Sequence, residues 1–337
     1  MRKILVGLCA LLLIAIVTGC SLFEKSTPKK VGISFGAGPA ARWPLEKDYM
    51  VERAKELGLE TNVRFNTTDK PKTQQEDCKE LIDSGIGVLI VMPRDGTKFT
   101  EIVKYAQSKN VKVIAYARPF INNASDLFIG YDNYRIGQTE GLYAVEMVRK
   151  GNYIVLKGDK ADNNSLSLYQ GIMQQLQPAL ADGLNIILDD FVPGWSPDKA
   201  QEMVKQALIK NNKQVDVILA PNDKIAGASI RALKELNITK DVIVVGMDAE
   251  LPAVQRIVNG EQNMTVYLNL KDLATTAVDQ ANSFINSKKF TPNSEFVDEK
   301  GHKTPSYLVS GKVVTKETID KFLIETGVYT KEQVYGK

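Results

Sequence analysis

From residue 30 onward the chain alternates between two apolar patterns. Short continuous runs of Val, Ile and Leu give way to longer stretches whose apolar positions recur every three or four residues. Short unbroken runs bounded by turn residues suit strands buried on both faces, and the wider spacing suits amphipathic helices. A first strand is predicted over 30–35 (KVGISF). A helix follows over 44–58, opened by Pro44 in its first turn and closed by Gly58 as a C-terminal cap. Strands at 61–66, 88–91, 112–116 and 127–129 then alternate with helices at 72–84 and 98–109. The same rhythm restarts with strands at 153–156, 185–188, 215–219 and 242–245. Its helices fall at 164–178, 197–211, 224–236 and 251–259.

This alternation predicts an α/β protein of two Rossmann-like lobes, each a doubly wound parallel sheet with helices on both faces. The remainder is less regular. A strand at 264–267 and a helix at 271–287 precede a polar, loop-like stretch over 290–303 and a short strand at 307–309. A chain that completes one lobe and returns to the other gives such a tail. The expected division is 30–132 with 268–290 for the N-terminal lobe, and 133–267 with 291–337 for the C-terminal lobe. No short-period repeat or low-complexity tract is visible.

The N-terminus adds an address. Arg2 and Lys3 precede an apolar run over 4–17, and Val17-Thr18-Gly19-Cys20 has the form of a bacterial lipobox. A plain secretory signal or a short membrane anchor would share the run, but it falls short of the roughly 20 residues a comfortable span needs. Residues 1–19 are therefore expected to be a lipoprotein signal peptide, with Cys20 as the lipid attachment site and 20–29 as a polar tether. The expected location is the extracytoplasmic face of a cell membrane. Without residues 1–19 the chain has 41 basic and 40 acidic residues, for a net charge of +1. That balance gives no global reason to bind nucleic acid. Cys9 leaves with the leader and Cys20 is acylated, so Cys78 has no disulfide partner and reads as a small core thiol. A single histidine, His302, removes most histidine-dependent triads and zinc sites.

In open α/β sheets ligands bind beyond the carboxyl ends of the strands. Arg42 and Trp43 follow the first predicted strand, and Arg118 follows the fourth. In the second half Asp162, Asn163 and Asn164 follow one strand end and Trp195 another, with Asn222, Asp223 and Asp248 further on. This set suits a sugar. Indole rings pack on the C–H face of a pyranose, while Asp accepts, Arg donates and Asn does both toward its hydroxyls. Each residue also has a structural alternative. Either Trp can be core, the Asp and Asn residues can cap helices, and Arg42 or Arg118 can pair with Asp248. Two other functions fit worse. Gly36-Ala37-Gly38-Pro39-Ala40-Ala41 meets the loose dinucleotide pattern, but Asn66 stands where an acidic ribose ligand belongs. A sugar-responsive repressor would need a DNA-binding headpiece where the leader stands.

Several stretches carry a resemblance: ARW (41–43), YDNYRIG (131–137), ADNN (161–164), PGW (193–195), PNDKIAG (221–227), GMDAEL (246–251), NMTVY (263–267) and PSYLVSGKVVTKE (305–317). Together they resemble the D-xylose binders of the type I periplasmic sugar-binding family, over about 30–314. The resemblance implies two lobes joined by three crossovers, near Asp132–Asn133, near Tyr267–Leu268 and near 290. It implies sugar contacts from Arg42, Trp43, Arg118, Asp162, Asn164, Trp195, Asn222 and Asp248. Two positions depart from the pattern: Ala117 stands where the family has Asp, and Leu268 where it has Lys. The two lost charges are opposite, so neither leaves a stranded partner. The expected protein is a monomeric, non-enzymatic monosaccharide binder, with no cofactor and no metal. It feeds an ABC permease or, alternatively, presents its closed form to a membrane histidine kinase or chemoreceptor.

Overall fold

The computed structural model describes residues 27–36, 42–66, 72–122 and 125–336. The expected leader with Cys20, and residues 37–41, lie outside them. The first lobe opens with β1 (Lys30–Gly36), α1 (Arg42–Glu56), β2 (Glu60–Asn66), α2 (Gln74–Asp83), β3 (Val88–Met92), α3 (Thr100–Ser108), β4 (Lys112–Tyr116) and β5 (Leu127–Tyr131). The chain then crosses into α4 (Asn133–Met147), β6 (Gly151–Lys157), α5 (Asn163–Leu180), β7 (Leu184–Phe191), α6 (Pro197–Lys210), β8 (Val217–Leu219), α7 (Asp223–Glu235), β9 (Ile243–Met247), α8 (Leu251–Val258) and β10 (Met264–Tyr267). It returns through α9 (Leu270–Ile285), β11 (Ser294–Val297) and β12 (Lys303–Val309), and ends with β13 (Lys312–Val314) and α10 (Lys331–Tyr335).

Two sheets result, ordered β11-β12-β5-β4-β3-β1-β2 and β13-β10-β9-β8-β6-β7. All neighbours are parallel except the β11/β12 and β10/β13 pairs. Strand alternation divides the apolar side chains between the two faces. Val88, Ile90 and Met92 of β3 pack toward α1 and α9, whereas Leu89 and Val91 pack toward α2 and α3. The same split occurs in β6, with Tyr153 and Val155 on one side and Ile154 and Leu156 on the other. Cys78 is fully buried among the α2 and α3 side chains, and burial pushes its thiol up to about 12. Among the described residues no helix is long and apolar enough to cross a membrane.

The tail differs from the expected division. β12 pairs in parallel with β5, and β11 pairs with β12, so 294–309 belongs to the first sheet and only β13 onward joins the second. The last crossover therefore falls between Val309 and Lys312 rather than near 290. The stretch looked like loop because β11 is an edge strand with alternately exposed side chains, and one solvated face reads as polar. The crossovers pack together: a Cβ on Gly311 would lie 2.2 Å from Val266 and 3.5 Å from both Ile136 and Leu268. Only glycine allows that approach.

Candidate functional site

Both sheets reverse strand order at a central strand, between β1 and β3 in the first and between β6 and β8 in the second. A crevice opens at such a switch point, beyond the strand ends. Arg42 and Trp43 follow β1, and Asp162 and Asn164 follow β6. The helix after β1 begins two residues earlier than expected, so Arg42 and Trp43 lie in the first turn of α1.

On the first lobe, Arg42 pairs with Glu46 one helical turn later. Nη2 and Nε stand 2.6 and 2.8 Å from Glu46 Oε1. Glu46 is fully buried, and the Tyr116 hydroxyl donates to its other oxygen at 3.0 Å. Burial pushes the Glu46 carboxyl up, and the Arg42 charge and these donors pull it back; we take the pair as ionised. Burial pulls Arg42 down, and Glu46, Tyr131 and Asp248 outweigh it, leaving the guanidinium above its ordinary range. That guanidinium lies 4.6 Å from the Trp43 ring centroid and 5.5 Å from that of Tyr131. Trp43 itself is 6% exposed and packs on Phe35, so its alternative as core holds in part.

On the second lobe, Asp248 follows β9 with φ 101° and Ala249 with φ 51°. Two successive non-glycine residues in the left-handed region are a strained turn of the kind that over-determined functional loops retain. The turn is held by Asp248 N donating to Val266 O and by Ala249 N donating to Thr265 Oγ1. Burial pushes the Asp248 carboxyl up to about 6, and the Arg42 charge opposes this across the cleft. Asn222 caps α7, its Oδ1 accepting from Ile225 N at 2.9 Å. The next residue, Asp223, is buried and accepts from Gln262 Nε2, Thr265 Oγ1 and Glu250 N, at 2.8 to 2.9 Å. It ties together the loops after β8 and β9.

Among the described residues, two polar side-chain contacts join the lobes. Arg118 Nη2 lies 2.8 Å from Asp162 Oδ2, and Asn164 Nδ2 donates to Ala117 O at 2.9 Å. Asp162 also caps α5 through Asn164 N. Ala117 sits at φ 60° in a tight turn closed by Arg118 N on Tyr116 O. Arg118 thus pairs with Asp162 rather than with Asp248. Trp195 ends the turn 193–195, and its ring lies so close to Gly158 that a Cβ there would come within 2.2 Å of it. Its Nε1 is buried without a hydrogen-bond partner.

Sequence reasoning missed three groups. Glu46 was visible as an acid one turn after Arg42. Tyr131 was visible as the last residue of β5; its hydroxyl is buried and unpartnered. Glu140 lies in α4 on the buried stripe Asn133, Ile136, Gly137, Gly141 and Ala144, and neither carboxyl oxygen has a partner. Burial, then Asp223 and Asp248, push it well above the usual carboxylate range. Among the described residues no His, Cys, Asp and Glu cluster is arranged to hold a metal ion.

Comparison with known proteins agrees with this architecture. Residues 34–289 match the periplasmic binding protein domain, and the chain belongs to that family of binding proteins. It is 32% identical over 328 residues to the D-xylose-binding periplasmic protein of Haemophilus influenzae, covering 96% of this chain and 98% of that one. It is 31% identical over 336 residues to the protein of the same name from Escherichia coli, covering 99% of each. An ABC transporter solute-binding protein from Clostridium phytofermentans, solved with bound β-D-glucose, superposes with a TM-score of 0.82 at 25% identity, over 90% of this chain and 99% of that one.

Proposed function

We propose that this protein binds a monosaccharide outside the cytoplasm, D-xylose or a related aldose, and delivers it to an ABC importer by closure of the two lobes. The observation that carries the reading is the cleft itself. Arg42 on one lobe and Asp248 on a strained turn of the other lie close enough for their charges to act on each other, and the Trp195 indole N–H beyond β6 is buried without a partner. Such groups meet a polyol rim and a flat C–H face at once. Two relatives named for D-xylose, and a neighbour holding β-D-glucose, support an aldose. Arg118, Asp162, Asn164 and Asn222 then line the closing edges, and Asp132, Asn133, Tyr267 and Leu268 lie in or beside the crossovers that flex. Ala117 and Leu268 are 4% and 2% exposed and share one apolar cluster with Trp43. They give this wall an apolar character toward the sugar. Cys20 carries the lipid that keeps the protein beside the permease.

A thermal-shift panel of xylose, ribose, arabinose, glucose, galactose and inositol tests the sugar reading. A ligand that binds only the folded form raises the melting temperature by mass action. At least one aldose is expected to do so, and a flat response to all six would refute it. Cys20→Ala is expected to release the protein from membranes; tight retention would point to another anchor.

A further inference from the structure

We propose that Tyr131 is a further ligand-binding residue, its phenol hydroxyl hydrogen-bonded to one hydroxyl of the bound sugar; this rests on the sugar-binding reading above. Tyr116 and Tyr131 end the adjacent strands β4 and β5, at the edge where the cleft opens. The two phenols are treated differently. Tyr116 donates to Glu46 at 3.0 Å, whereas the Tyr131 hydroxyl is buried with no hydrogen-bond partner, on a residue only 5% exposed. A buried tyrosine hydroxyl ordinarily finds a partner, because stripping it of water without one is unfavourable. Its ring lies under the Arg42 guanidinium, and Asp248 and Tyr267 of the other lobe are close enough for their charges to act on it. Tyr131 therefore lies against Arg42 and within electrostatic reach of Asp248. Tyr131 shares one apolar cluster with Trp43, Ala117, Met247 and Leu268. Among those apolar side chains the phenol hydroxyl is able both to donate and to accept, which is what a sugar hydroxyl matches. The ligand position it reads is one where a deoxy sugar would leave it unsatisfied again.

The test is calorimetric titration of wild type and Tyr131→Phe with D-xylose, D-glucose and the monodeoxy analogues of whichever binds more tightly. Tyr131→Phe is expected to weaken the parent sugar by about 5- to 150-fold, the size of one buried hydrogen bond. One monodeoxy analogue should bind wild type more weakly than the parent, yet bind the variant as well as the variant binds the parent. The melting temperature of the ligand-free variant should be unchanged or higher, since the substitution removes an unsatisfied hydroxyl. Equal affinity of both proteins for every sugar would overturn the proposal and leave sugar binding intact. A lower ligand-free melting temperature, with all sugars weakened alike, would mark Tyr131 as structural and overturn it. Failure of wild type to bind any sugar would overturn the functional reading and this proposal together.

Discussion

The Arg42–Glu46 pair shows how one residue governs the cleft. Glu46 neutralises the Arg42 guanidinium and holds it by two contacts. Removing one partner of a buried ion pair leaves the other charge uncompensated, at roughly 3–5 kcal/mol. Glu46→Gln is therefore expected to lower stability by about that amount in urea titration, and a wild-type midpoint would contradict the pairing. The acids beneath the opposite lobe make a second residue-level prediction. Glu140 and Asp223 are buried and Asp248 is nearly so, and each carboxyl is raised above its ordinary value, Asp223 to about 8 and Asp248 to about 6. The folded protein then holds more protons than the unfolded chain above the usual carboxylate range. Their stability contribution is fully present in acid and is lost as pH rises through about 6 and toward about 8. Unfolding midpoints of the ligand-free protein should fall from pH 5 to pH 8, and Glu140→Gln should flatten the fall. A rising midpoint would contradict it. These residues also mark the limit of legibility in the sequence. The strand-end rule singled out Arg42, Trp43, Asp162, Asn164, Asn222 and Asp248, because position along the chain fixes which residues follow the strand ends. It did not show that Asp162 pairs with Arg118, because pairing depends on how two lobes meet. Glu140 was hidden because a carboxyl on a helix reads as solvated until the helix is packed on both sides.

At the scale of elements, the contact between α4 and α5 is set by glycine. A Cβ on Gly171 would lie 2.0 Å from Tyr134 O, and one on Gly137 would lie 2.0 Å from Leu168 O. Backbone meets backbone there, so a methyl group has no flexible neighbour to displace. Gly171→Ala is expected to destabilise the second lobe by about 1–3 kcal/mol or more through overpacking, despite alanine's better helix propensity. Unchanged or higher stability in denaturant titration would show that the helices can separate at no cost. The parallel core strands were legible from their Val, Ile and Leu runs alone. β11 was not, because an edge strand with one solvated face carries only half of the apolar pattern.

For the whole molecule, the lobes touch through Arg118–Asp162 and Asn164–Ala117, and the three crossovers converge on Gly311. If a sugar binds between the lobes, as proposed, it acts through contacts that are better made when these two inter-lobe contacts are in place. Arg118→Gln and Asp162→Asn should each weaken sugar affinity, with a combined effect smaller than the sum of the two. Additive losses would show that the two side chains act separately. The central claim is that the cleft between Arg42 and Asp248 holds one aldose. Calorimetric titration of D-xylose and D-glucose into wild type and Asp248→Ala tests it most directly. The account predicts saturable binding of at least one of these sugars at a single site per chain, lost or greatly weakened in Asp248→Ala. Equal binding by both proteins, or binding of neither sugar to the wild type, would contradict it.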